Sequence, residues 1–320
     1  MLNINNWKLC ELCFAILHPK AEKYPYCGNY NICTNDLPVG TILAARYLVG
    51  RHTDHSSTYH AYDLMKNSRV LIEEFFPIFD ARRNQGDKNV IFNDDPIDIP
   101  IIKEKMTVFC NEAKVFARLN SNPNTVSVYD LFFENNTYYA VTEYFSRKSL
   151  YHFHGITENE ALYILKHAAN GLLALHDLGY LHLNITPGNI VISDNGVVKL
   201  RAFSAHENVK TNRESMSSIF PNLRKMTFIP IEMNRKNRGP WTDIYSLGAT
   251  VYDSLCPNTL ESPTNRITIE SLDFSGLTPS FADILKKMLE IYPKYRYHSI
   301  PELKKDLETL KIIPIAPKIQ

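Results

Sequence analysis

Glycine is scarce in this chain. Only 12 of the 320 residues are glycine, and none stands between Gly50 and Gly86. A stretch without glycine cannot readily form the positive-φ turns that bring several backbone amides close to a phosphate. A glycine-built anion cradle is therefore excluded from residues 51–85. Long apolar runs are also lacking: none approaches the roughly 18–20 residues of a membrane span, and Met1–Lys8 has no apolar core of a signal peptide. Charge of one sign is lacking too, because 35 Lys and Arg face 34 Asp and Glu for a net charge of +1. A field that small does not draw the chain to nucleic acid or to a membrane surface. These absences lead to the expectation of a cytoplasmic protein with neither a nucleic-acid nor a membrane partner. Cysteine numbers only six, with four before residue 34. That clustering speaks against a disulfide framework spread over a fold and for a local metal site.

What is present is ordinary globular composition, 44% hydrophobic and 22% charged, with room for a two-lobed domain and a small extra module. The chain is organised around His182–Ser204. Two β-branched runs, Ile190-Val191-Ile192 and Val197-Val198, flank Asp194-Asn195-Gly196, a strong hairpin signal. A polar loop, His182-Leu183-Asn184-Ile185-Thr186-Pro187-Gly188-Asn189, precedes the hairpin. Another, Arg201-Ala202-Phe203-Ser204, follows it. Upstream, Thr157-Glu158-Asn159-Glu160 is a capping box. It opens a helix whose apolar stripe is Leu165, Ala168, Ala169, Leu172 and Leu175, with Gly179 as its stop. Lys103–Leu119 also reads as a helix. The stretch from about Asp80 to Pro100 reads as an irregular insert, and two strands flank Asn135-Asn136.

The polar loop and its successor resemble the catalytic loop and metal loop of a protein kinase, H-R-D-x-x-x-x-N followed by D-F-G. Val70-Leu71-Ile72-Glu73-Glu74-Phe75-Phe76-Pro77 resembles the V-A-I-K-E-Y-F-P strand of bacterial Ser/Thr kinases. Val141-Thr142-Glu143-Tyr144 resembles a kinase hinge with Thr142 as gatekeeper, and Phe228–Glu232 resembles A-P-E. Gly239–Thr250 is close to G-P-W-T-D-I-Y-A-L-G-A-T, and Tyr292–Arg296 resembles the D-P-x-x-R turn. Cys10-x-x-Cys13 followed by Cys27-Gly28 resembles a zinc ribbon. The chain is thus similar to bacterial Ser/Thr protein kinases with an amino-terminal zinc ribbon. The resemblance implies an α+β, two-lobed fold with a β-rich N-lobe and a helical C-lobe. Its expected divisions are a ribbon-like segment at 1–36, an N-lobe at 37–145, a C-lobe at 146–313 and a tail at 314–320.

The resemblance also shows what has changed. Asn184 stands where the family has its catalytic Asp, Leu183 replaces the preceding Arg, and Ala202 replaces the metal-binding Asp. Glu73 replaces the phosphate-binding Lys, and Leu71 replaces the small Ala over adenine. His52–His60 lies where a glycine-rich turn would cover the phosphates. Glu112, His182 and Asn189 are retained. Asp243 matches the buried aspartate that anchors the catalytic loop, and Glu232 with Arg296 matches a buried ion pair. The resemblance therefore implies a vestigial ATP site of Gly50, Leu71, Glu73, Thr142, Glu143 and Val191, with no catalytic residue expected to act. The corresponding expectation is a non-enzyme: a pseudokinase serving as a regulatory or scaffolding module for a protein partner, such as an active kinase or another signalling protein. The alternatives are an active Ser/Thr kinase or other ATP-dependent transferase using rearranged residues, and a metal-independent nucleotide sensor. Neither ATP nor magnesium is expected as a cofactor. Zinc is expected on Cys10, Cys13 and Cys27, with Cys33 or His18 as fourth ligand. Glu73 is expected to face Glu112 in the nucleotide cleft, with Arg201 a candidate counter-cation.

Overall fold

Alternation of apolar and polar residues builds a small β unit, and helical periodicity builds a large α unit. The computed structural model describes residues 2–4, 7–10, 14, 35–53, 57–77, 80–145, 149–193, 195–201, 227–233, 237–257, 260 and 272–311. The described residues fall into two units. The small one takes those up to Ala117 together with Ser127–Tyr144, and the large one takes Arg118–Val126 and those from Phe145 onward.

In the small unit, strands β1 (Leu2–Ile4) and β2 (Trp7–Leu9) pair as a separate antiparallel ribbon. Strands β3 (Ile42–Leu43), β4 (Tyr47–His52), β5 (Thr58–Asp63) and β6 (Ser68–Glu74) follow. Then come the short pair β7 (Ala81–Arg82) and β8 (Ile91–Phe92), helix α1 (Asp98–Ala117), and strands β9 (Val128–Glu134) and β10 (Thr137–Glu143). The main sheet has the order β3-β4-β5-β6-β10-β9. Its strands are rich in aromatic and β-branched residues, which suit a pleated, half-buried surface. Asn135 and Asn136 make the β9–β10 turn with φ of 49° and 63°, the left-handed pair that a two-residue hairpin needs and Asn tolerates. One face of the sheet is closed by a buried cluster of Leu37, Leu43, Tyr47, Val49, Tyr59, Ala61, Val70, Ile72, Tyr139 and Val141. Each such side chain contributes about 1.5–3 kcal/mol when removed from water.

Two boundaries differ from the sequence reading. The insert at 80–100 carries the β7–β8 pair, and α1 begins at Asp98 and ends at Ala117 rather than running over 103–119. Pro100 does not exclude the earlier start, because it falls within the first turn, whose N–H groups have no intrahelical partner. Asp95 sets the entry: its carbonyl accepts from Asp98 and Ile99, and its carboxylate accepts from Ile97 N at 2.9 Å.

The large unit contains α2 (Glu158–Asp177), the hairpin β11 (Ile190–Ile192) and β12 (Val198–Leu200), α3 (Pro240–Leu255), α4 (Pro279–Leu289) and α5 (Ile300–Glu308). The capping box forms: Thr157 N donates to the Glu160 carboxylate at 2.8 Å, and Glu160 N donates to Thr157 Oγ1 at 3.3 Å. Gly179 closes α2 with φ of +80°, as expected of a glycine just past a helix end. Residues 124–126 pair with β12: Leu200 N donates to Asn124 O and Val126 N donates to Leu200 O. This segment crosses α2 at Gly171, where an added Cβ would stand 2.5 Å from Asn124 O. Lower in the unit, the expected ion pair is present. Arg296 Nη1 donates to Glu232 Oε1 at 2.7 Å, and the other guanidinium groups donate to Glu290 O and Ile291 O. Thr242 Oγ1 donates to the same carboxylate at 3.1 Å.

Three substitutions test these contacts. Gly171→Ala should destabilise the large unit by ~1–3 kcal/mol through overpacking against backbone. Glu232→Ala should cost about 3–5 kcal/mol, since it strands a buried guanidinium. Lys286→Ala, at the solvent-exposed pair with Asp283, should change stability by less than about 1 kcal/mol. Urea unfolding of the three variants checks the ordering.

Candidate functional site

The large unit carries a loop fastened from beneath by one carboxylate. Asp243 lies in the first turn of α3 and is fully buried. Its Oδ2 accepts from His182 N at 2.8 Å and its Oδ1 from Leu183 N at 2.8 Å. His176 Nε2, from the last turn of α2, lies 2.8 Å from Oδ2 and donates to it. Hydrogen bonds to an ionised acceptor are about twice as strong as neutral ones. The fastening matters because Leu183 has φ of +58°, a left-handed conformation that costs a non-glycine residue roughly 1–2 kcal/mol.

The rest of the loop is tied to Arg201, the residue that follows β12. Burial lowers the His182 pKa, so its imidazole is neutral, and Nε2 donates to Arg201 O at 3.0 Å. Arg201 N donates to Asn189 O, and Asn189 N to Thr186 O. The Asn189 amide donates to Asn184 O at 2.8 Å. His182, Asn184, Asn189 and Arg201 are thus brought together, with the Arg201 guanidinium 5.9 Å from the Phe145 ring. Val191 is buried in β11. Ala202 and Phe203 lie outside the described residues.

In the small unit, the register of β5, β6 and β10 decides which residues meet. Glu73 sits between Thr58 and Ala140, and Leu71 sits between His60 and Thr142. All six share one face, because directly paired residues do so and alternate residues repeat it. The Thr58 hydroxyl donates to Glu73 Oε2 at 2.6 Å. Glu73, Leu71 and Thr142 are buried. Glu73 is thus held within its own sheet by a cross-strand hydroxyl. Glu112 lies half-buried on α1, and Gly50 is buried in β4. Glu143 N donates to Ser127 O at 2.9 Å, which fixes the start of the hinge.

Of the expected zinc ligands, only Cys10 is described, and it is buried; Cys13, His18, Cys27 and Cys33 lie outside the described residues. Among the described residues no group of three or more His, Cys, Asp or Glu is placed to hold a metal. Sequence reasoning missed Thr58 and His176. The first was accessible from strand register, since Thr58 pairs with Glu73. The second was accessible from helical spacing, since His176 lies four residues after Leu172 on the packed stripe.

A β-rich small unit, a helical large unit and an Asp243-fastened loop define a protein-kinase-like fold. The family model for the protein kinase domain matches residues 99–306, and the chain belongs to that family. A serine/threonine-protein kinase of Mycobacterium bovis, PknL, is 28% identical over 87% of this chain and 68% of its own length. A probable serine/threonine-protein kinase of Clostridium perfringens is 27% identical over 64% of this chain, which spans 32% of that relative. A solved structure, PpkA-294 in its apo form, shares the fold with a TM-score of 0.69 at 22% identity, covering 85% of this chain and 99% of that one. These findings overturn the expectation of a non-enzyme: the matching family is that of the protein kinase domain, and the relatives are Ser/Thr kinases by name. The expectation equated lost side chains at Glu73, Asn184 and Ala202 with lost chemistry. Phosphoryl transfer draws mainly on positioning and charge stabilisation, which a preserved frame can supply through other groups.

Thr58→Val should cost about 1–3 kcal/mol by withdrawing a donor from the buried Glu73 carboxylate. Thermal or urea unfolding measures it, and Thr58→Ser, which keeps the hydroxyl, should recover most of the loss.

Proposed function

We propose that this chain is a phosphotransferase of the serine/threonine protein kinase class, acting through rearranged phosphate-handling groups. The observation that carries the reading is the Asp243-fastened loop, in which Leu183 is held in a costly left-handed conformation. A fold that sustains such strain preserves the loop's geometry, and strain of this kind clusters at working sites. The named Ser/Thr kinases among the relatives support the same reading.

The substrate would be a nucleoside triphosphate and a hydroxyl-bearing side chain. The hydroxyl oxygen bonds to the terminal phosphorus as the bond to the leaving diphosphate breaks, and the hydroxyl proton passes to solvent. Asn184 can orient the hydroxyl by hydrogen bonding but cannot take its proton. Losing a general base costs about 10²–10⁴ in rate, which slows the reaction without abolishing it. Arg201, clamped through its backbone by His182 and Asn189, offers a guanidinium suited to bidentate phosphate contact. The kinase pattern carries a magnesium-binding carboxylate at the position of Ala202, whose side chain has no ligating atom. No step is therefore assigned to a metal.

The test is incubation of the purified chain with γ-labelled ATP and generic protein substrates, with magnesium, with manganese and with EDTA. The expected result is slow transfer, about 10²–10⁴-fold below the ~1–100 s⁻¹ of ordinary protein kinases. Arg201→Ala should reduce it at least about tenfold, the factor expected for one charged hydrogen bond. Nucleotide binding without transfer under all three conditions would reduce the reading to a nucleotide sensor, and failure to bind any nucleotide would overturn it.

A further inference from the structure

Three consecutive residues, Asn35, Asp36 and Leu37, each grip a different part of the small unit. The Asn35 carbonyl accepts from Arg83 Nη1 at 2.6 Å, and its side-chain oxygen accepts from Arg83 N at 3.2 Å. The Asp36 carboxylate lies 2.8 Å from His52 Nδ1, at the end of β4. Leu37 N donates to the Tyr59 hydroxyl at 3.1 Å, and its side chain is buried in the sheet cluster. These three residues directly follow the cysteine-bearing amino-terminal segment.

Two of the grips, those of Asn35 and Leu37, converge on a charged group inside the sheet. Arg83 is ion-paired with Glu74, and both side chains are fully buried. Glu74 also accepts from the Tyr59 hydroxyl at 3.0 Å and from the Tyr139 hydroxyl at 2.9 Å. Burial raises the pKa of both tyrosines, so they stay protonated as donors. Tyr59 therefore joins Leu37 to Glu74, and Arg83 joins Asn35 to Glu74. Glu74 adjoins Glu73 on β6, and its amide donates to Ser57 O at 2.7 Å. Ser57 has φ of +73°. Thr53 N donates to Thr58 O at 2.6 Å across the base of the same turn. A turn that lacks glycine and includes a left-handed Ser57 needs support from outside to keep that shape.

We propose that Asn35–Leu37 is a latch that fixes the base of the β4–β5 turn and the end of β6. Asp36–His52 holds one side of the turn, while Asn35 and Leu37 hold Glu74 through Arg83 and Tyr59. Releasing the latch loosens the turn base and the Thr58–Glu73 contact together and leaves the β9–β10 hairpin in place. The consequence for nucleotide handling rests on the phosphotransferase reading, but the conformational coupling does not.

The test is native-state amide exchange of the full chain, wild type against Asp36→Ala, His52→Ala and the double variant. The amides read are Leu37, Thr53 and Glu74, with those of β10 as the reference within the same unit. Each single variant should speed exchange at Thr53 and Glu74 by about tenfold, the equilibrium factor of one charged hydrogen bond. The double variant should add little to either, because the two changes remove one interaction. Unchanged exchange at Thr53 and Glu74 would overturn the latch. So would strictly multiplicative effects in the double variant, or equal acceleration throughout β10, which would mean general loosening. None of these outcomes depends on enzymatic activity.

Discussion

The Asp243 carboxylate is the constraint on which the large unit's site depends. It is buried beneath the His182–Asn189 loop and accepts from two successive backbone amides and one imidazole. Burying a carboxylate without such donors would be costly. The same donors hold Leu183 left-handed, which turns the chain so that the Asn189 amide reaches Asn184 O and Arg201 N reaches Asn189 O. Loop shape is thus encoded by one residue of α3 some sixty positions away, by the backbone amides of His182 and Leu183, and by the side chains of His182 and Asn189. That explains how Leu183 and Asn184 can differ from the kinase pattern while the loop keeps its course.

The small unit follows the same principle by different means. Its two carboxylates on β6 face opposite sides of the sheet, because adjacent strand residues alternate. Glu73 is met by the Thr58 hydroxyl. Glu74 is met by Arg83, Tyr59 and Tyr139. Burying a carboxylate is costly unless it is hydrogen-bonded or paired, so the strand carries two acidic residues only because each has its own partner set. A lysine-to-glutamate exchange relative to the kinase pattern is therefore accommodated locally, by a hydroxyl one strand away. The reversal of charge at Glu73 is thus compatible with a folded sheet.

Several features were legible in the residues alone, each because its cause is local in the chain. The Thr157 capping box, the Gly179 stop and the Asn135-Asn136 turn are set by side chains within four positions of the backbone they govern. The helical stretches of α1 and α2 were legible from period, whereas the division into a β-rich and a helical half came from the resemblance. The pairings of Asp243 with the loop and of Glu232 with Arg296 were legible only through resemblance, because nothing local links residues that far apart. The start of α1 at Asp98 was misplaced because Pro100 reads as a break unless the entry turn at Asp95 is known.

What the sequence determined by itself was the order and type of the elements, the family frame, and the identity of the altered residues. Only the tertiary structure decided what those residues touch. Sequence alone named no cross-strand partner for Glu73; strand register gave it Thr58. His176 could have been a surface residue; packing of α2 on α3 gave it Asp243. Asn35–Leu37 has no periodic or motif signal at all, and its role came from three contacts with Arg83, His52 and Tyr59. The physical reason is common to all three. Local propensity is a property of neighbouring residues, whereas the partner of a buried polar group is set by whichever chain segment the packed core brings within hydrogen-bonding distance.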